Sequence, residues 1–285
     1  MRSFTAVVNP SAGGTASLLP LARLLREAGA QVETVYSRDL AHAGELAGAA
    51  AAKGDVVLAV GGDGMAGCVG GALAGTGAVF GIVPAGRGND FARQLGLPAG
   101  PGALAKILLE AEPRPIDVIE ANGVPVLGSV YAGIDAVANH NANHARLLRG
   151  SISYQVGALK AITTWRPAAY RITVDGTLHE RLAYTVVAAN SGFYGSGLHV
   201  APDARVDDGL LDIVIVGHAP RLAFFKIMRE LADGSHVHRP QVEVLRGREV
   251  LIETDRPVPY GTDGEVDHTT PVTVRVLPAA LTTLY

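Results

Sequence analysis

The sequence predicts an α/β domain built on an open parallel sheet, followed by a mainly antiparallel β-sandwich domain. Up to about Asn122, strand-like runs alternate with helical periodicities. Several of those runs are apolar throughout, as strands covered by helices on both faces are. Beyond Asn122, strand runs follow one another with only two helical interruptions.

Phe4–Val8 is β-rich and stops at Asn9-Pro10. Leu18, Leu21, Leu24 and Leu25 then recur at helical spacing and end at Gly29. Val32–Tyr36 reads as a second strand and Ala41–Ala52 as a second helix. Asp55–Val60 is a continuous apolar strand that feeds into a glycine turn. Ala78–Pro84 does the same, and a helix follows from Asn89. In the second part, Val124–Tyr131, Tyr170–Val174, Ala183–Ala189, Leu211–Val216, Val242–Leu245, Val250–Glu253 and Val272–Val276 read as strands. Asp175-Gly176 and Arg246-Gly247 read as turns joining such strands. The two helical patterns are His144–Trp165 and Leu222–Leu231. These signals divide the chain into a domain at 1–122 and a β-rich domain at 123–277. The last residues, about 278–285, are candidates to pack back onto the first domain.

With 285 residues, 48% of them hydrophobic and 18% charged, the chain can bury a sizeable core. A formal charge of −3 argues against a nucleic-acid partner recruited by bulk charge. A single cysteine, Cys68, excludes an internal disulfide and a cysteine-rich metal site. No run reaches the roughly 18 apolar residues of a membrane-spanning helix, and the N-terminus lacks the pattern of a secretory signal. The expected setting is cytoplasmic, with visits to a membrane surface.

Three glycine-containing turns each follow an expected strand: Asn9-Pro10-Ser11-Ala12-Gly13-Gly14, Gly61-Gly62-Asp63-Gly64 and Pro84-Ala85-Gly86-Arg87-Gly88-Asn89-Asp90. Ligands of open α/β sheets bind at the carboxyl ends of the strands. Glycines there let backbone N–H groups approach phosphate oxygens, helped by the dipole of the following helix. One such turn is an ordinary connection, but three at one sheet edge form a nucleotide cradle. A carboxylate beside phosphates requires a mediating cation, so Asp63 and Asp90 imply Mg²⁺. Asn89-Asp90 also suits a helix cap.

The run Val60-Gly-Gly-Asp-Gly64, followed by Pro84-Ala-Gly-Arg-Gly-Asn-Asp-Phe-Ala-Arg93, resembles the diacylglycerol kinase catalytic-domain family, which includes soluble bacterial lipid kinases and sphingosine kinases. The resemblance continues through Tyr131–Ala136, Ala189-Asn190, Ala201–Asp212 and Asp263-Gly264-Glu265. It implies an N-terminal fold like that of NAD kinases and diacylglycerol kinases, and an ATP- and Mg²⁺-dependent kinase acting on a lipid hydroxyl. It also implies roles for matching residues. Asn9, Pro10, Ser11, Ala12, Gly13, Ser37, Gly61, Gly62, Asp63, Gly64, Met65, Ala66, Gly67, Cys68, Arg87, Gly88, Asn89 and Asp90 would line the nucleotide and its metal. Glu265 would be the catalytic carboxylate, with Asp263 beside it and Asp63 and Asp207 in support. Asp208, with the backbone carbonyls of Arg205 and Leu210, would hold a structural Mg²⁺.

The chain departs from the family pattern at Met65 (often Thr), Cys68 (usually Glu), Gly71 (usually Asn) and Arg87 (Thr or Ser in relatives). Arg87 would add a charged phosphate donor. His140, His144, His236 and His238 have no partners at zinc spacing, and Gly192–Gly197 lacks the register of a hydrolase elbow. Trp165 with Arg149, Lys160 and Arg166, and Phe224-Phe225 with Arg221, Lys226 and Arg229, form basic-aromatic segments suited to an anionic membrane surface. A solvated helix face is the simpler reading of both segments. Two other functions fit the same turns: an NAD kinase or other small-molecule kinase, and a nucleotide or lipid sensor without turnover. A homodimer is compatible with all three.

Overall fold

The computed structural model describes residues 2–10, 14–138, 165–263 and 265–285. Ser11, Ala12, Gly13, Gly264, His140, His144 and most of the helix expected at 144–165 lie outside them.

The first domain begins β1 (Ser3–Val8), α1 (Gly14–Glu27), β2 (Gln31–Tyr36), α2 (Leu40–Ala52), β3 (Val56–Gly61), α3 (Asp63–Leu73) and β4 (Val79–Pro84). The four strands run parallel in the order β2-β1-β3-β4. Every residue of β3 is buried, which is why its sequence shows no alternation. α2 starts where the Asp39 carboxylate accepts the His42 N–H at 2.8 Å, an N-cap. α4 (Asp90–Gln94) and α5 (Pro101–Glu110) complete the helices of this domain. One face of the sheet packs Leu18, Leu21 and Leu25 of α1 with Leu104 and Leu108 of α5. The other packs Ala43 and Ala47 of α2 with Met65, Val69 and Leu73 of α3.

The chain then forms β5 (Arg114–Ala121), β6 (Val124–Val126), β7 (Ser129–Gly133), a helical stretch from 134, β8 (Ala168–Val174) and β9 (Thr177–Ala189). β10 (Phe193–Tyr194) and β11 (Leu198–His199) make a small ribbon, and β12 (Leu211–Gly217), α6 (Arg221–Glu230) and β13 (Val242–Gly247) follow. β14 (Glu249–Thr254), β15 (Pro259–Thr262), β16 (Glu265–Thr269) and β17 (Val272–Thr283) end the chain. The expected antiparallel domain is present, with a core of Ile172, Val186, Ile213, Ile252 and Val274. It is not separate from the first sheet. β17 pairs antiparallel with β14 and β5, and its last residues, Thr282 and Thr283, pair parallel with Val79 and Phe80 of β4. One fifteen-stranded sheet therefore runs through both halves.

Three expectations are corrected. Val124–Tyr131 is not one strand, because the ladder breaks at Leu127-Gly128 between β6 and β7. Arg246-Gly247 is not a hairpin turn, because β13 pairs with β12 while β14 pairs with β8 and β17. Trp165 is not a free membrane anchor: its indole N–H donates to the Tyr184 carbonyl at 3.1 Å and Arg256 lies over its ring. Phe224 is likewise buried, although Phe225 is exposed. Among the described residues no helix is long and apolar enough to cross a membrane.

Asp117, which the sequence does not single out, locks the two halves together. It is buried in β5, where its carboxylate accepts the Gly209 N–H at 2.7 Å and the Ala279 N–H at 2.8 Å. Its own N–H donates to the Val206 carbonyl at 2.6 Å. Ala279 has a φ of 52° and sits where the β17 register shifts, so this bond fixes the bend that returns β17 to β4. Removing the buried carboxylate leaves two partly buried backbone donors without their acceptor, at about 1–2 kcal/mol each, the lower part of the range for buried groups. Asp117→Ala is therefore expected to lower unfolding free energy by about 2–4 kcal/mol in urea titration; a change within about 0.5 kcal/mol, as for an ordinary surface site, would refute the lock.

Candidate active site

β1, β3 and β4 all end at the same edge of the parallel sheet, so the turns that follow them meet there. The Ala85 N–H donates to the Gly61 carbonyl at 2.8 Å, extending the ladder into the turns themselves. Beyond it the two backbones touch. A Cβ placed on Gly86 would fall 2.3 Å from the Gly62 Cα, so no larger residue fits without parting the turns. Asn89 then reverses the chain in the left-handed conformation, with φ 53° and ψ 42°, which Asn tolerates. Its side-chain carbonyl accepts the Gly86 N–H at 2.9 Å and its amide donates back to the Gly86 carbonyl at 3.0 Å. Asn89 thus builds the turn.

The turns bring two carboxylates together. Asp63 opens α3, and its Oδ1 accepts the Phe91 N–H of α4 at 3.1 Å. Asp90 is buried and reaches across to the second domain, accepting the Ser196 N–H at 2.8 Å and the Gly197 N–H at 2.6 Å. Gly88 lies between them: a Cβ there would sit 2.8 Å from Asp63 Oδ2 and 3.1 Å from Asp90 Oδ2. Burial pushes the Asp90 carboxyl above the usual range, and the Asp63 charge adds to that against the two amide bonds.

A third carboxylate arrives from the far end of the chain. Asp263 turns the β15–β16 hairpin with a φ of 39°. Its Oδ2 accepts the Leu127 N–H at 2.8 Å, and its Oδ1 accepts the Gly128 and Ser129 N–H groups at 3.0 and 3.3 Å. The break between β6 and β7 frees those three amides. Asp263 also packs on α3, since a Cβ on Gly67 would lie 3.0 Å from its Oδ2. Burial, with a smaller push from the Asp63 charge, raises its pKa to about 6 despite the three amide bonds. Glu265 opens β16 opposite Thr262 on the same hairpin.

Other expected residues are placed differently. Met65 and Ala66 are buried in the core beneath the turn, so only their backbone faces the edge of the sheet. Ser37 is buried at the end of β2, where its hydroxyl and N–H both donate to the Val8 carbonyl. The Cys68 thiol donates to the Leu40 carbonyl at 2.8 Å, as a packed side chain does. Arg87 is exposed on its turn. Asp207 is exposed and pairs with Arg205 at 3.1 Å.

The two metal expectations fare differently as well. Asp63 and Asp90 have the carboxylate chemistry for Mg²⁺, and the bare Gly88 between them leaves room that a side chain would fill. Asp208 does not offer an open ligand: its Oδ1 accepts the Leu210 N–H at 3.1 Å and its Oδ2 pairs with Arg246. Asp135, in the helical stretch after β7, is a further, half-buried residue whose carboxyl accepts the Thr185 hydroxyl at 3.0 Å and is pushed up to about 6 by desolvation.

Residues 3–121 match the family model of the diacylglycerol kinase catalytic domain, and residues 128–285 match that of the YegS C-terminal NAD kinase beta sandwich-like domain. The chain is 34% identical to a diacylglycerol kinase of Mycobacterium tuberculosis (strain H37Rv), across 98% of this chain and 94% of that one. It is 26% identical to a diacylglycerol kinase of Bacillus subtilis (strain 168), across 93% and 90%. A crystal structure of a diacylglycerol kinase from Bacillus anthracis superposes with a TM-score of 0.79 at 26% identity, covering 100% of this chain and 96% of that one.

Two outcomes follow from the geometry. Gly86→Ala should leave the circular dichroism spectrum intact while weakening nucleotide binding at least about tenfold, because the clash parts the turns; unchanged affinity in calorimetry would refute the contact. Asp263 keeps its proton in the folded state from its ordinary 3.8 up to about 6. Stability is therefore lost as pH rises through that window, and the cost is complete above it. Asp263→Asn removes this dependence, so the variant should gain on the wild type between pH 4 and pH 7 in denaturant melts. A difference that stays constant with pH would exclude a raised Asp263.

Proposed function

The chain belongs to the diacylglycerol kinase family of lipid kinases, phosphotransferases with an alcohol acceptor, and on that premise we propose that it transfers the γ-phosphate of Mg²⁺-bound ATP to the hydroxyl of a diacylglycerol-like lipid. The observation that carries this reading is the convergence on Asp63. Asp90 from the next turn and Asp263 from the last hairpin are both close enough for the Asp63 charge to raise them. Three carboxylates at one sheet edge suit a site that works with a cation and phosphates.

In this reading the amides at the start of α3 and the turn 84–90 hold the phosphates, with Arg87 adding a charged donor from the rim. Asp63 and Asp90 would hold Mg²⁺, which when bound neutralises the charge that develops on the transferring phosphoryl group. Asp90 also keeps the two domains at a fixed separation through Ser196 and Gly197. Asp263 positions the hairpin that carries Glu265, and Glu265 accepts the proton of the lipid hydroxyl as general base. The lipid arrives from a membrane surface, so the protein works in the cytoplasm and visits the bilayer. Exposed Leu178, Leu182 and Phe225 suit such visits.

Radiolabelled ATP supplied with a mixed lipid extract tests the reading. Labelled lipid is expected from the wild type, and Glu265→Ala should reduce it by about a hundredfold or more, the usual loss on removing a general base. Absence of any Glu265-dependent labelled lipid across acceptor classes would overturn it. Label in a water-soluble acceptor, without need of vesicles, would make the protein a small-molecule kinase. ATP binding with turnover no higher than in Asp63→Ala would make it a sensor.

A further inference from the structure

The segment between β11 and β12 carries Asp203, Asp207, Asp208 and, as the second residue of β12, Asp212. Such a density of negative charge demands compensation. Asp207 obtains it from Arg205 in solvent, where the pair has little energetic weight. Asp212 is buried, and one of its carboxylate oxygens has no hydrogen-bond partner among the described residues. Directly across the antiparallel ladder from Asp212 stands Arg246 of β13. Its Nε lies 3.2 Å from Asp212 Oδ1 and its Nη2 pairs with Asp208 Oδ2. One guanidinium thus bridges the turn and the strand.

We propose that Arg246 is the resident cation of this turn, holding Asp208 and Asp212 together so that the 203–212 segment is set without a divalent metal. A planar guanidinium suits the task, since it is always charged and its fork can meet two carboxylates at once. Its position is fixed by the β12–β13 ladder, so no ion has to be recruited from solution. A metal approaching Asp208 must displace a charge-assisted hydrogen bond and then sit beside the displaced positive charge. The same turn supplies the Gly209 N–H to Asp117, so the guanidinium also secures the lock between β5 and β17.

The test is thermal melting of nucleotide-free protein in a chelator and in millimolar Mg²⁺ or Ca²⁺. Any rise of the wild-type melt with the cation should be the same in Asp208→Asn, since none of it comes from this turn. Arg246→Gln leaves two carboxylates facing each other, and should melt about 5 °C lower in the chelator. Millimolar Mg²⁺ or Ca²⁺ should restore it, and the further change Asp208→Asn should abolish that rescue. Arg246→Lys, which keeps the charge but not the fork, should fall between wild type and Arg246→Gln. A wild-type melt that rises with Mg²⁺, with the rise lost in Asp208→Asn, would overturn the proposal whether or not Arg246→Gln folds. An Arg246→Gln protein as stable and as unresponsive to cations as the wild type would overturn it too.

Discussion

The Asp263 carboxylate is the constraint on which the arrangement of the site rests. It accepts three amide N–H groups released where β6 gives way to β7, and it packs on α3 at Gly67. The hairpin that bears Glu265 is thereby fastened to the helix whose first residue is Asp63. A carboxylate with three amide donors is a strong local anchor. Burial and the nearby Asp63 work against its charge, and the net effect is a group that titrates near neutrality instead of well below it. The anchor therefore carries a built-in cost, which the three amide bonds hold in check.

Asp90 performs the reciprocal task. It belongs to the first domain and is held by Ser196 and Gly197 of the second, whereas Asp263 comes from the second half and settles on the first. The two crossings tie the turns of the first domain to the second half of the chain. Between them the contact of Gly62 with Gly86 sets how closely the two glycine turns approach. Asn89 supplies the reversal that brings Asp90 back towards Asp63. Asp117 keeps this geometry from drifting, since it binds both the turn at Gly209 and the bend at Ala279.

Much of this was legible in the sequence, because the signals are local. An apolar strand running into Gly61-Gly62-Asp63-Gly64 announces a turn at a sheet edge whatever lies around it, and the alternation of strands and helices announces the parallel order. α5 carries the same kind of local signal, in Pro101 at its start and the helical spacing of Leu104 and Leu108. What the sequence hides depends on distant partners. Asp117 sits inside an apolar run and gives no hint of donors 92 and 162 residues away. Leu127-Gly128 looks like strand interior because the acceptor that interrupts the ladder, Asp263, is about half the chain away. Arg246-Gly247 has the composition of a hairpin turn, yet Arg246 serves Asp208, 38 residues earlier. Gly-rich composition identifies a turn but not which strands it joins.

The molecule meets the problem of concentrated negative charge in two ways, and the contrast separates function from architecture. At the turn before β12 the compensating charge is covalently part of the chain, so Arg246 is present whatever the solution contains. At the sheet edge the Asp63 charge raises the cost of ionising both Asp90 and Asp263, and among the described residues no basic side chain pairs with any of the three at ion-pair distance. Adding the phosphates of a nucleotide to that edge would add like charge to like charge at a few ångströms, an unfavourable contact of several kcal/mol at the effective dielectric of a protein surface. In the proposed kinase reading, such a site would take a nucleotide in company with a cation. On that reading an edge left acidic would require nucleotide and metal to arrive together, while a turn already neutralised by arginine makes no such demand.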